Sequence, residues 1–164
     1  MLKIYKNLRE LDFQRLMTIY EEGNRENGQE RYPELPEGQQ ILRAEQDFYQ
    51  YLRECFFPTE GAFYAVWEED GQYVAALRLE PYQDGLLLEA LETRPDMRRR
   101  GYAKTLIRSV LEVTREIRVY SHVSKRNLPS LRAHYACGFE IWMDYAVYAD
   151  GSVLQNSYTL CRES

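Results

Sequence analysis

The chain has 164 residues, 45% of them hydrophobic, a formal net charge of −5 and three cysteines. That length and apolar content predict one domain spanning residues 1–164 with its own core, and a second full domain is not expected. The negative charge argues against general affinity for nucleic acid, no apolar run approaches the ~18 residues of a membrane span, and Cys55, Cys137 and Cys161 make neither a disulfide framework nor a C-x-x-C metal pair. Residues 1–6 alternate polar and apolar without the long apolar stretch of a secretory signal, so a first strand and a cytoplasmic, metal-free protein with reduced thiols are expected.

After that strand, Leu8, Leu11, Leu16, Ile19 and Tyr20 follow a helical period that stops at residues 21–24. Residues 23–38, rich in Gly, Asn, Glu and Pro, read as a loop, and residues 39–56 return to helical spacing. Period-two patterning over residues 62–79, turning at 68–71, predicts a hairpin. A turn at 82–85 leads into a third, central strand, residues 86–93. Ala103, Leu106, Ile107, Val110 and Leu111 define an amphipathic helix over about residues 101–115. A strand at 117–123, a short helix at 129–137 closed by Gly138, and a hairpin of 139–148 with 153–161 complete the chain. The sum is an α/β layered domain around a mixed sheet.

The strand ending at Thr93 is separated from the helix by a basic turn containing Arg94, Pro95, Arg98, Arg99, Arg100, Gly101, Tyr102, Ala103 and Lys104. Free backbone N–H groups at a helix start, its dipole and nearby arginines make an anion site suited to a pyrophosphate. Small residues at Gly101 and Ala103 would let a ligand approach the backbone. A solvated basic loop fits the arginines equally well. A P-loop lacks its glycine before Lys104-Thr105, and no G-x-G-x-x-G occurs.

Arg98-x-x-Gly101-x-Ala103, with Pro95 before it, Leu106 after it, and Asn127-x-x-Ser130 and Gly138-Phe139 downstream, resembles the acetyl-CoA signature of the GNAT superfamily of N-acyltransferases. The resemblance implies a three-layer GNAT-like domain: a central mixed sheet of about seven strands, helices on both faces. It implies acetyl-CoA as cosubstrate, a bulged and splayed central strand whose backbone near Leu91, Glu92 and Thr93 bonds the pantetheine arm, and Asn127 against the same arm. As a helix N-cap, Asn127 has a second, compatible reading. Family members often dimerise through sheet edges or terminal strands, so a homodimer is compatible.

Acyl transfer to an amine needs a neutral nucleophile, a donor for the thioester oxygen and an acid for the leaving thiolate. The resemblance sets a Tyr seven residues after the Asn as that acid; here the position is His134, with Tyr135 next. His134 is the preferred candidate, its reference pKa of about 6.5 lying near that of a thiol at about 8.5; Tyr135 shares the apolar stripe of Leu128 and Leu131. His122 and Glu89 are candidate bases, each equally readable as an ordinary strand residue. The expected activity is acetyl transfer to a small-molecule or peptide amine in a ternary complex; a non-catalytic CoA-binding module is the alternative, favoured by the missing Tyr. Glu21, Glu22, Glu26, Glu30 and Tyr32 could face a cationic acceptor, and Trp142, Tyr145 and Tyr148 could line its pocket, or these groups could be a solvated face and sheet filling.

Overall fold

A computed structural model describes residues 1–164. Alternating residues at the start form β1 (Leu2–Tyr5), followed by α1 (Phe13–Ile19), α2 (Glu21–Arg31) and α3 (Glu37–Tyr51), the last running into a π-helical turn at Leu52–Phe56. The apolar alternation then builds a meander, β2 (Phe63–Glu69), β3 (Gln72–Tyr82) and β4 (Gly85–Thr93). A 3-10 turn (Pro95–Met97) precedes α4 (Tyr102–Val113), β5 (Val119–Ser124), α5 (Leu128–Ala136) and β6 (Glu140–Met143). The chain ends in β7 (Ala146–Val147), β8 (Val153–Leu154) and β9 (Ser157–Arg162).

Seven strands form one sheet in the order β1-β2-β3-β4-β5-β9-β6, with β7 and β8 as a separate ribbon. All pairings in it are antiparallel except β4 with β5, which run parallel because α4 carries the chain back across the sheet. On one face Leu106, Ile107, Val110 and Leu111 of α4 and Leu131 of α5 pack on Ala75, Leu77, Leu79 and Leu88. Each such leucine, isoleucine or valine removed from water contributes roughly 1.5–3 kcal/mol. The opposite face is covered by Leu16, Ile19, Leu52 and Phe56 against Tyr64, Val66 and Ala76.

Three expectations are corrected. The first helix begins at Phe13, not Leu8, because Asp12 caps it, its Oδ1 accepting from Arg15 N at 3.1 Å. The expected loop at 23–38 is largely α2. Its sequence, EEGNRENGQER, has no apolar stripe and so no period to read. It is held through polar and close-approach contacts: Tyr32 Oη donates to Asp47 Oδ2 at 2.6 Å, Gln40 Nε2 to the Tyr32 carbonyl at 3.0 Å, and Gly28 lies against the backbone of α3. The last hairpin is interrupted, with only β6 and β9 in the main sheet and a register shift between Ile141 and Met143.

Gly28 gives a test of sign. Alanine is ordinarily the better helix former by about 0.8–1 kcal/mol, yet a Cβ at Gly28 collides with the Gln40 carbonyl oxygen. Gly28→Ala is expected to destabilise by about 1–3 kcal/mol, read as a lowered thermal midpoint.

Candidate cofactor and catalytic site

The centre of the sheet opens at β4. Its parallel pairing with β5 covers only Leu86–Val119, Leu87–Tyr120 and Leu88–Ser121, after which the strands separate. Backbone groups of β4 that face β5 beyond Leu88 therefore have no partner there. On the other side, β3 advances two residues from Ala76 to Arg78 while β4 advances three from Glu89 to Glu92, so Ala90 and Leu91 form a bulge. Ala90 sits at φ +54°, a left-handed conformation costly for a residue with a Cβ. Two buried tyrosines reach the bulge: Tyr64 Oη donates to Tyr20 Oη at 2.8 Å, and Tyr20 Oη donates to the Ala90 carbonyl at 2.6 Å.

On the α4 and α5 side the opening continues into a cavity of about 650 Å³. Leu91, Glu92, Thr93, Arg98, Arg99, Gly101, Tyr102, Ala103, Lys104 and Asn127 all line it. Arg100 does not, and is exposed. At the head of α4 the Gly101 carbonyl is bonded by Thr105 N at 3.0 Å, so the N–H groups of Tyr102, Ala103 and Lys104 have no helical acceptor. Arg99 at φ +64° and Gly101 at φ +82° are both left-handed, and such alternation gathers N–H groups into an anion-binding concavity. A Cβ at Gly101 would meet nothing, so within the protein the glycine is required by its backbone angle rather than by space.

Charge at this end is partly tied up. Arg98 bridges Glu22 of α2 at 2.8 Å and Glu92 of β4 at 3.2 Å, while burial raises the Glu92 carboxyl against the opposing pull of Arg98. Asn127 caps α5, its Oδ1 accepting from Ser130 N at 3.3 Å, and its amide donors remain uncommitted while it lines the cavity.

Glu89 and His122 lie on the other face, among the side chains facing α1–α3. Arg78 reaches Glu89 Oε1 at 3.3 Å and stacks over Tyr51 at 4.8 Å and Phe56 at 5.6 Å. Burial, with Glu80 adding to it and Arg78 opposing, raises the Glu89 carboxyl to about 7. The His122 ring is packed edge-on between Tyr82 at 5.4 Å and Tyr148 at 4.9 Å, with neither buried ring nitrogen hydrogen-bonded in the chain. Burial holds its pKa down, so the ring is neutral.

His134 does not sit as a proton donor should. It is 1% exposed and does not line the cavity. Nδ1 donates to the Ser130 carbonyl at 2.7 Å, which fixes the tautomer, and Nε2 accepts from Ser121 Oγ at 2.9 Å. Burial lowers its pKa despite that carbonyl, so the imidazole is neutral with its only N–H committed to a carbonyl. Tyr135 is 43% exposed and also lies outside the cavity lining. In this structure His134 stands apart from the cavity lining and joins α5 to Ser121, the last β5 residue paired with β4. Sequence reasoning passed over Tyr20, Tyr64, Ser121 and Arg78; only Arg78, a charge inside the apolar strand VAALRL, carried a legible signal.

The profile of the acetyltransferase (GNAT) family matches residues 14–139. No curated protein sequence matches significantly. Among solved structures, the chain is similar to the PaiA N-acetyltransferase from Thermoplasma acidophilum in complex with coenzyme A, at 14% identity over 100% of this chain and 99% of that one, TM-score 0.66. It is similar to an IAA acetyltransferase from Bacillus cereus, at 13% identity over 100% of both chains, TM-score 0.61. A third is the ribosomal-protein-S18-alanine N-acetyltransferase from Escherichia coli, at 17% identity over 99% and 93%, TM-score 0.59. At these identities the structures speak for the fold, while the family match spans α1 through α5, the bulged strand and the basic turn; the chain belongs to the GNAT family of acetyltransferases.

Proposed function

We propose that the protein transfers the acetyl group of acetyl-CoA to a primary amine of a small molecule or peptide, directly and in a ternary complex. One observation carries this reading: the sheet is open between β4 and β5, with the cavity on one face and Glu89 on the other. A donor and an acceptor can therefore meet at the bulge from opposite sides.

In this reading the pyrophosphate takes the free N–H groups of Tyr102, Ala103 and Lys104, with Arg99 adding charge. The pantetheine arm follows the backbone of Leu91, Glu92 and Thr93 and the Asn127 amide, each of which lines the cavity. The thioester then reaches the bulge, where a β4 backbone N–H stabilises the tetrahedral oxyanion. Glu89 takes the proton from the attacking nitrogen, directly or through water, and a carboxyl near 7 suits that task. The carbon–sulfur bond breaks as the amide forms, and the thiolate takes a proton from water, since a thiol pKa of about 8.5 makes it a tolerable leaving group. His122, neutral and without a partner in the chain, is a further hydrogen-bonding group on the acceptor face.

Ligand binding tests the donor half. At 100 times its Kd, acetyl-CoA is expected to stabilise the fold by about 2.7 kcal/mol, seen as a raised thermal midpoint. Mg-ATP should give no shift, and the absence of a shift with acetyl-CoA would sink the proposal.

Glu89 gives the acceptor half a pH signature. Its raised pKa leaves the base protonated below about 7 and ionised above, so kcat/KM should climb with pH through that value. Glu89→Gln is expected to remove this limb and lower kcat/KM by roughly 10²- to 10⁴-fold. By contrast, His134→Ala should cost about 1–3 kcal/mol of stability by leaving the Ser121 hydroxyl unpaired, without moving the limb; a displaced limb would restore His134 as a titrating catalytic group.

A further inference from the structure

We infer that Tyr20, at the junction of α1 and α2, is a positioning residue for the acetyl-transfer step: its hydroxyl holds the bulge of β4 so that the Leu91 N–H faces the cavity. This rests on the function proposed above. The geometry runs through one peptide plane. In a trans peptide the carbonyl of one residue and the N–H of the next point in opposite directions. The Ala90 carbonyl is drawn by Tyr20 Oη, at 2.6 Å, toward the face that α1 covers. The Leu91 N–H on the same plane therefore points the other way, toward the α4 and α5 side, where Leu91 itself lines the cavity.

The device is directional. Tyr20 Oη accepts from Tyr64 Oη at 2.8 Å, so its own proton is free to go only to Ala90. Tyr64 is fully buried and Tyr20 nearly so, and burial keeps both phenols neutral across the working pH range. Ala90 and Leu91 have no Cα partner on β3 or β5, so the strand pairing that normally orients a peptide plane is missing there. Ala90 is also in the left-handed region at φ +54°, a conformation that persists only when its surroundings impose it. Tyr20 supplies that imposition.

The test is steady-state kinetics of Tyr20→Phe, Tyr64→Phe and the double variant beside wild type, with acetyl-CoA and CoA thermal shifts on each. The ring and its packing stay in Tyr20→Phe, and only the hydroxyl goes. Misaiming an oxyanion donor should lower kcat roughly ten- to hundredfold, while KM for acetyl-CoA and the CoA-induced shift stay within about twofold. Tyr64→Phe should lower kcat less, and the double variant should be no worse than Tyr20→Phe, because Tyr64 acts through Tyr20. A Tyr20→Phe enzyme with kcat within about twofold of wild type, or one losing CoA binding in step with kcat, overturns the inference. If Tyr20→Phe is too unstable to assay, Tyr64→Phe carries the test, and an unchanged kcat there overturns it. Wild type that is stabilised by acetyl-CoA yet acetylates no amine instead overturns the proposed function, and this inference with it.

Discussion

The parallel contact between β4 and β5 lasts three residue pairs and then stops, and the rest of the site depends on that stop. A sheet interior normally pairs every backbone group, because a buried unpaired N–H or carbonyl costs about as much as a lost hydrogen bond. Here the strands part at Leu88 and Ser121, and the exposed edge of β4 is left to a cavity of about 650 Å³. The opening is stabilised from both faces. On one, His134 ties α5 to Ser121 at the point of parting; on the other, Tyr20 and Tyr64 hold the bulge that begins two residues beyond Leu88.

Electrostatics divides the two sides of this opening. The cavity face ends at the N-terminus of α4, with three free N–H groups, its positive dipole end and Arg99. The opposite face has two half-buried carboxylates, Glu80 and Glu89, against one guanidinium, Arg78. The positive and the negative ends of the opening thus lie on different faces of the same sheet. Glu22 links the two, since it stands on α2 yet pairs with Arg98 of the anion loop.

The substitution of His at the position where the family resemblance sets a Tyr has a structural consequence. The imidazole lies in the core and satisfies both ring nitrogens there, on the Ser130 carbonyl and the Ser121 hydroxyl. Its ring packs edge-on to Phe139 at 4.9 Å. Buried and neutral, it braces α5 against β5, while the carboxyl raised by burial, Glu89, stands on the other face.

By itself the sequence determined those parts whose signals are local. The period-two meander of β2, β3 and β4, the amphipathic stripe of α4, and the basic turn with its glycine could be read along the chain because each rests on neighbours within a few residues. So could residues 91–93, 98, 99 and 101–104 that share one cavity, since the strand end, turn and helix start are contiguous. Only the tertiary structure decided the rest. Helix α2 has no apolar stripe and exists through Gly28 and Tyr32 against α3; His134 became a core residue through Ser121, thirteen residues away; and Tyr20 found Ala90 across seventy. Each of these depends on which faces of distant elements meet. Burial and partner then set the ionisation and the role of a side chain, and no local pattern encodes either.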